Sequence, residues 1–416
     1  MKNIWIFNHY AGPPSICSGL RHFYFAKYLI QAGYKVIIFA SSAQHNSDIN
    51  LITDDKPYIK YKEEDVPFVY IKTRQYTGNG KKRILNMVDY YLGLLRITKE
   101  FEKPDIIIGS SVHPLACLAA IKLSKKYKCK NIIEIRDLWP ESLVEYKIIK
   151  KNALPTKLLY KLEKFIYYKA NKLIFTMEGG YQYIIDKKWN SLKTRKIDLG
   201  KIYHINNGVD LEEFEKNKRS NEINDIDLED KNSYKIVLTG SIRKADNIGL
   251  LVDVAEELNN ESKYNKIKFI IYGDGEELKK LSQKCIDKKL NNICFKGKVN
   301  KKCIPYILEK CDLTMMCGMR TNIGKYGLSL NKSFEYLASG KPILSTIECA
   351  YDYISSAKAG ITVDASIEGV TAGVKYFYNL SDDNYNSYCK NAKKLADKYS
   401  YKNLTNQLIE IFNSHI

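Results

Sequence analysis

Residues 324–342 read G-K-Y-G-L-S-L-N-K-S-F-E-Y-L-A-S-G-K-P, a glycine loop that feeds a helix. Gly324 and Gly327 belong to the loop and Ser329 is placed to cap the helix. Asn331 to Ser339 is the helical run, which Gly340 ends and Pro342 forbids from continuing. The unpaired N–H groups and dipole of such a helix start favour an anion. Lys332 adds a positive charge in the first turn, where a purely structural helix prefers Asp or Glu, and Glu335 sits one turn on. Two readings fit this local physics: an ordinary capped helix with an untidy charge, or a phosphate site.

Working outward, the stretch closes a series of strand-turn-helix units. Lys235 to Thr239 is an apolar strand ending in G-S-I-R-K, so that Gly240, Arg243 and Lys244 precede the helix Ile248 to Leu258. Ile267 to Tyr272 is a strand ending in G-D-G-E-E-L, with Gly273 and Gly275 in the turn, and further strands follow at Ile293, Leu313 and Pro342. Anion-friendly turns therefore gather at one edge of a parallel sheet, where open α/β sheets bind ligands.

A second such series lies upstream. Ile4 to Asn8, a helix from Leu20 to about Ala32 and the strand Lys35 to Ala40 form a β-loop-α-β unit. Its loop, with Gly12 and Gly19, lacks the dinucleotide fingerprint, and no acidic residue closes the second strand, which argues against an NAD enzyme. Gly19 permits a sugar diphosphate or acceptor to approach the backbone, although an ordinary βα turn uses glycine too. Val66 to Lys72 is a strand, and T-G-N-G-K-K-R introduces a helix from Ile84 to Phe101 with an apolar stripe at Ile84, Met87, Val88, Tyr91, Leu94, Leu95 and Ile97. Lys81, Lys82 and Arg83 at its head suit an anionic membrane surface, while core packing is the plainer use of the stripe.

The strand Asn131 to Ile135 ends in R-D-L-W-P-E-S-L, placing Arg136, Asp137 and Glu141 at a sheet edge around Trp139 and Pro140. Those charges fit a site, and a structural salt bridge would use the same residues. Strands at Leu173 to Met177 and Lys201 to Ile205 run into E-G-G and N-N-G-V-D. Residues 211–233 lose hydrophobic periodicity and read as a linker. The expected organisation is an N-terminal Rossmann-like domain over 1–210, a C-terminal one over 234–400, and a segment 401–416 that crosses back to the first.

Composition sets the outer limits. With 416 residues, 45% hydrophobic and 27% charged, the chain fits two soluble α/β domains, and no apolar run approaches the length of a membrane span. The N-terminus has no signal-peptide pattern, so a cytoplasmic protein is expected. Ten cysteines without a CxxC pair read as reduced thiols, and no metal-ligand spacing is present. A formal charge of +19 favours anionic partners: nucleotide diphosphates, lipid headgroups or nucleic acid. Nucleic acid is the weakest of these, because no recognition motif accompanies the charge.

N-N-G-V-D (206–210), G-S-I-R-K (240–244), G-D-G-E-E-L (273–278) and S-L-N-K-S-F-E-Y-L-A-S-G-K-P (329–342) occur in an order that resembles the retaining family 4 glycosyltransferases of GT-B fold. R-D-L-W-P-E-S-L is similar to the branch of bacterial N-acetyl-L-fucosamine transferases of surface-polysaccharide assembly. The resemblance covers essentially the whole chain. It implies two Rossmann-like domains facing across a cleft and a metal-independent, cofactor-free transfer from a UDP-sugar, UDP before GDP, to a lipid-linked saccharide at the inner face of the membrane. Residue by residue, it puts Glu335 on the ribose hydroxyls and Arg243 and Lys244 on the diphosphate. It also puts the N–H groups of Ser329, Asn331 and Lys332 on the leaving group, Gly273 and Gly275 near the base, and Asn207 at the cleft. Gly240 and Gly19 complete the donor side, and Arg136, Glu141, Lys81, Lys82 and Arg83 lie on the acceptor or membrane side. Asp137 either positions the acceptor hydroxyl or orients Arg136.

Two departures stand out. Gly327 occupies the position of the first carboxylate of the family's E-x7-E pattern, which leaves the donor sugar open. Where many relatives place a His beside that sugar this chain has Arg136 and Asp137, and Leu330 replaces the branch's usual proline. A nucleotide-sugar epimerase and a non-catalytic sugar-nucleotide scaffold are the competing functions.

Overall fold

The computed structural model describes residues 1–414 apart from Ser18, Asn46, Asn79, Val112 and Leu192. The stretches 9–19 and 77–83 each include one residue outside that set, and the segment 401–416 ends two residues beyond it. The described chain divides into two compact units, residues 1–206 with 401–416, and residues 207–400.

In the first unit the strands are β1 Asn3–Phe7, β2 Lys35–Ser41, β3 Tyr58–Glu63, β4 Val66–Ile71, β5 Ile106–Ser111, β6 Lys130–Ile135, β7 Lys172–Phe175 and β8 Ile202–His204. The order is β3-β4-β2-β1-β5-β6-β7-β8. All pairs are parallel except β3 with β4. β3, Y-I-K-Y-K-E, has no buried residue, so no hydrophobic signal marks it in the sequence. The helices are α1 Arg21–Gln31, α2 Lys81–Ile97, α3 Pro114–Tyr127, α4 Glu141–Glu145, α5 Leu154–Lys169 and α6 Gly180–Asp186. Central strands are buried on both faces, as parallel sheets under helices require. Trp5, Phe7 and Phe39 meet edge-on or tilted in the core at ring separations of 5.4 to 6.2 Å.

The second unit holds a six-stranded parallel sheet, β11-β10-β9-β12-β13-β14. Its strands are β9 Tyr234–Ser241, β10 Ile267–Asp274, β11 Ile293–Gly297, β12 Leu313–Met316, β13 Ile343–Ser345 and β14 Gly360–Thr362. Its helices are α7 Leu211–Ser220, α8 Ile226–Glu229, α9 Gly249–Asn259, α10 Leu278–Asp287, α11 Ile304–Glu309, α12 Asn331–Ser339, α13 Tyr353–Ser356, α14 Ile367–Tyr378 and α15 Asp382–Lys398. The last helix, α16 Tyr401–Asn413, belongs to the first unit and packs on α1.

Three expectations need correction. Residues 211–233 are not an open linker: Asp210 caps α7 through the Glu213 N–H (2.8 Å), and Asp225 caps α8. The pattern is hidden because Phe214 is the buried side chain that α7 contributes to the core. The unit boundary accordingly falls between Asn206 and Asn207 rather than after Asp210. In α2 the buried residues are Asn86, Tyr90, Leu94 and Ile97: Leu94 and Ile97 of the expected stripe face the core, Asn86 and Tyr90 join them from outside it, and Ile84 at its head is exposed.

Candidate functional site

In each sheet the strand order reverses at one point, and there a crevice opens beyond the carboxyl ends of the strands. In the second sheet this is between β9 and β12. Gly240, near the end of β9, has φ +132°, which L side chains rarely adopt. A Cβ on Gly240 would stand 3.7 Å from Lys332 Nζ. Lys332 comes from the first turn of α12, and its ammonium lies close enough to the Cys317 thiol beyond β12 for each to perturb the other. That ammonium is buried and has no hydrogen-bond partner among the described residues. Burial lowers its pKa; Asp246 and Cys317 oppose the shift and Arg243 adds to it.

Ser329 does not cap α12. Leu330 occupies the N-cap position with no side-chain hydrogen bond. The Ser329 hydroxyl instead accepts from the Asn207 backbone N–H at 3.0 Å, and the Ser329 carbonyl accepts from Asn207 Nδ2 at 2.9 Å. An uncapped helix start with an unpartnered ammonium beside a left-handed glycine turn is an anion cradle.

The basic pair at 243–244 is split in role. Arg243 Nε donates to Asp246 Oδ2 at 3.0 Å. Burial opposes ionisation of Asp246, but Arg243 and Ser241 outweigh it and hold the carboxyl below its usual range. Lys244 is exposed, and its backbone N–H donates to Glu276 Oε1 at 3.2 Å. Glu335 lies 3.5 Å from Lys301 Nζ and stays partly exposed, one turn beyond Lys332; Asn331 is exposed. Gly273 and Gly275 have a packing reason of their own. A Cβ on Gly273 would stand 1.7 Å from the Gly240 carbonyl oxygen, and one on Gly275 2.3 Å from that of Ile242. They let the β9 and β10 turns touch.

In the first sheet the reversal lies between β1 and β5, and the structure assembles a cluster there that no periodicity announces. His9 follows β1, His113 follows β5, and His9 Nδ1 lies 2.5 Å from His113 Nε2. The His9 ring is stacked between Tyr10 (4.6 Å) and Tyr90 (4.7 Å). Asn86 is held by Thr73 Oγ1 and the Arg74 carbonyl. Arg83, expected on the membrane side with Lys81 and Lys82, turns inward so that its Nε donates to Tyr10 at 3.1 Å; Lys81 and Lys82 are exposed. Burial, and secondarily Arg83, pushes His113 down to about 3, so the ring is neutral and one nitrogen is an acceptor. His113 Nδ1 has no partner among the described residues.

His113 and Asp137 share the wall of a small cavity with Trp139 and Glu163. A histidine therefore does stand near Asp137, contributed by β5 rather than by the R-D-L-W stretch. Asp137 Oδ2 accepts from Ser142 Oγ at 2.9 Å. The protein crowded around this partly open carboxyl pushes its pKa up, against the Ser142 hydrogen bond. Glu163 is buried between the hydroxyls of Tyr167 and Tyr183, and burial pushes it up to about 8. Glu141 is taken up by Tyr160 (2.6 Å) and Lys187.

Arg136 Nε is buried without a partner among the described residues, beside an ion cluster in which Glu134 binds Arg21 (2.8 Å) and Ser110 (2.7 Å). Burial disfavours the Glu134 charge, but Arg21 and His22 outweigh it and hold the carboxyl well below its usual range. Arg21 also donates to the carbonyls of Ile205 (2.9 Å) and Asn206 (2.5 Å). At Gly19 a Cβ would meet open space, so no packing demands glycine there. Among the described residues no group of three or more His, Cys, Asp or Glu could hold a metal ion, and no helix is long and apolar enough to cross a membrane.

Known proteins place this architecture. The family model "Glycosyltransferase Family 4" matches residues 22–213, and "Glycosyl transferases group 1" matches residues 219–395. A curated relative, "Probable glycosyltransferase WbjE" of Pseudomonas aeruginosa, is 20% identical over 283 residues, 66% of either chain. Among solved structures, the sucrose-phosphate synthase of Thermosynechococcus elongatus is similar at 12% identity and TM-score 0.71, over 99% of this chain and 98% of that one. Anabaena HepE, solved with UDP, is similar at 13% identity and TM-score 0.66 over the whole of both chains. With a family 4 domain in the first unit, a group 1 domain in the second and this fold throughout, the chain belongs to the GT-B glycosyltransferases.

Proposed function

We propose that the protein is a retaining glycosyltransferase that moves a sugar from a UDP-sugar to a lipid-linked saccharide in bacterial surface-polysaccharide synthesis. The observation that carries the donor half is Lys332, a buried ammonium with no hydrogen-bond partner among the described residues, at the uncapped start of α12 beside the Gly240 turn. A nucleoside diphosphate supplies the missing charge. As the leaving group it gains negative charge in the transition state, so Lys332, Arg243, Lys244 and the α12 amides contribute to the rate as well as to binding. These fixed cations serve where a metal otherwise would, so binding is expected to survive EDTA. Glu335 takes the ribose hydroxyls. Anabaena HepE, of the same fold, has been solved with UDP and with UDP-glucose, which favours UDP as the nucleotide.

In front-face retention the bond from the anomeric carbon to the phosphate oxygen breaks. A bond to the acceptor oxygen forms on the same face, and the acceptor proton passes to the leaving phosphate oxygen. Asp137 and His113, on one cavity wall, orient the acceptor hydroxyl, the carboxylate by accepting its hydrogen bond. An N-acetylated amino or deoxyamino sugar is the donor class that the R-D-L-W-P-E-S-L resemblance favours. Transfer occurs at the cytoplasmic membrane surface, where the lipid-linked acceptor resides. The test is product analysis with a panel of UDP-sugars and lipid-linked acceptors. Glu335→Ala is expected to raise KM for the donor about tenfold, and Asp137→Ala to spare donor binding and cut kcat about a hundredfold. An epimerised nucleotide-sugar formed without acceptor, or tight UDP binding with no product under any combination, would replace this reading with an epimerase or a scaffold; Gly327 in the place of a carboxylate is what keeps the scaffold in view.

A further inference from the structure

The first unit carries an apolar and basic ledge that the donor and acceptor sites do not use. It runs from the end of α4 through the first half of α5. Ile148 is 66% exposed, Leu154 72% and Leu158 55%, with Tyr146 and Phe165 also outward. Leu154, Leu158 and Phe165 recur at helical spacing on the outer side of α5, while the same helix buries Thr156, Glu163, Ile166 and Tyr167. One surface therefore faces the core and another apolar one faces outward, which is uncommon for a helix with a single partner layer.

Between residues 146 and 162 the charged residues are Lys147, Lys150, Lys151, Lys157 and Lys161, all exposed, and no Asp or Glu interrupts them. The ledge is firmly built. Tyr146 N–H bonds the Ser142 carbonyl (2.9 Å), Ala153 N–H bonds Lys150 O (3.1 Å), and buried Thr156 donates its hydroxyl to Lys150 O (2.8 Å). Exposure of the apolar side chains is thus set by an ordered turn.

We propose that this α4–α5 ledge is the surface by which the protein docks on an anionic lipid bilayer, its leucine and isoleucine side chains entering the headgroup boundary and its lysines meeting lipid phosphates. Charge complementarity selects this occupant. A second copy of the chain would bring five lysines against five, on a protein of net charge +19. The ledge also lies where a lipid would be useful. α2, α3 and α5 pack side by side, and each runs back along a parallel sheet. Their first turns therefore share the carboxyl edge of the first sheet with His113 and Asp137. Exposed Ile84 and Leu85 in the first turn of α2 extend the same rim. The link to a lipid-linked acceptor rests on the transferase reading; docking itself does not.

The test is co-sedimentation with vesicles of phosphatidylcholine alone and of phosphatidylcholine with phosphatidylglycerol, in the absence of donor and acceptor. The wild type is expected to bind the anionic vesicles and to be released by high salt. Leu154→Asp/Leu158→Asp is expected to lose at least tenfold in vesicle partitioning, and Lys150→Glu/Lys151→Glu a comparable amount. Both variants replace exposed side chains and should keep the wild-type melting temperature and UDP affinity. Unchanged vesicle binding in the folded variants would overturn the proposal, as would wild-type protein that ignores anionic vesicles. A wild-type dimer that the Leu154→Asp/Leu158→Asp change splits into monomers would also overturn it, assigning the ledge to a second copy. Failure of vesicle binding and failure of UDP binding are read separately, so the ledge and the transferase reading can fall independently.

Discussion

Lys332 holds a buried ammonium that finds no hydrogen-bond partner among the described residues. Such a charge is destabilising until an anion arrives. Lys332→Met is therefore expected to stabilise the ligand-free protein by about 1 kcal/mol and to abolish the rise in melting temperature that UDP gives the wild type. The unfolded chain holds this proton more tightly than the folded one, so stability rises with pH toward the lysine's ordinary 10.5. Saturating UDP should flatten that slope. Glu163 has the opposite sign. Its folded pKa is raised, to about 8 from 4.5, so its contribution is lost as pH climbs from about 5 to about 8. Glu163→Gln should remove that pH dependence from the thermal melts; a melting curve of the variant that still falls over the same range would reject a protonated Glu163. Lys332 was legible in the sequence because a lysine in a first helical turn breaks a charge preference. His9 and His113 were not, since single histidines at strand ends have no period, and only β1–β5 pairing joins them across 104 residues.

Between elements, the glycines of the β9 and β10 turns are fixed by packing. Gly273→Ala would drive a methyl into the Gly240 carbonyl and should cost about 3 kcal/mol or more, read by denaturant unfolding. A loss under 1 kcal/mol would mean that the turns are not in contact. The alternating strands and helices were readable because central parallel strands are continuous apolar runs bounded by glycine turns. What escaped was what burial does not mark. β3 has no buried face, and α7 buries only Phe214 among charged neighbours. Ser329 looked like a cap by residue type, yet its hydroxyl serves Asn207 from 122 residues away, a partner that local reasoning cannot supply.

Over the whole molecule, the chain folds as two units with separate chemistry: a cationic cradle at the β9–β12 reversal, and a histidine-carboxylate cavity at the β1–β5 reversal with a basic apolar rim. Glu134→Gln, which leaves Arg21 without its carboxylate, should destabilise the first unit by about 3–5 kcal/mol while leaving the cradle intact; loss of UDP affinity in this variant at a temperature where it remains folded would show that the donor site is not confined to the second unit. The claim on which the account turns is that the cradle exists to hold a nucleoside diphosphate. It is tested most directly by calorimetric titration of UDP into the wild type and into Lys332→Met, each with EDTA present. The account predicts saturable binding by the wild type and at least a hundredfold weaker binding by the variant. Equal affinity in the two proteins, or no binding by a folded wild type, would contradict it.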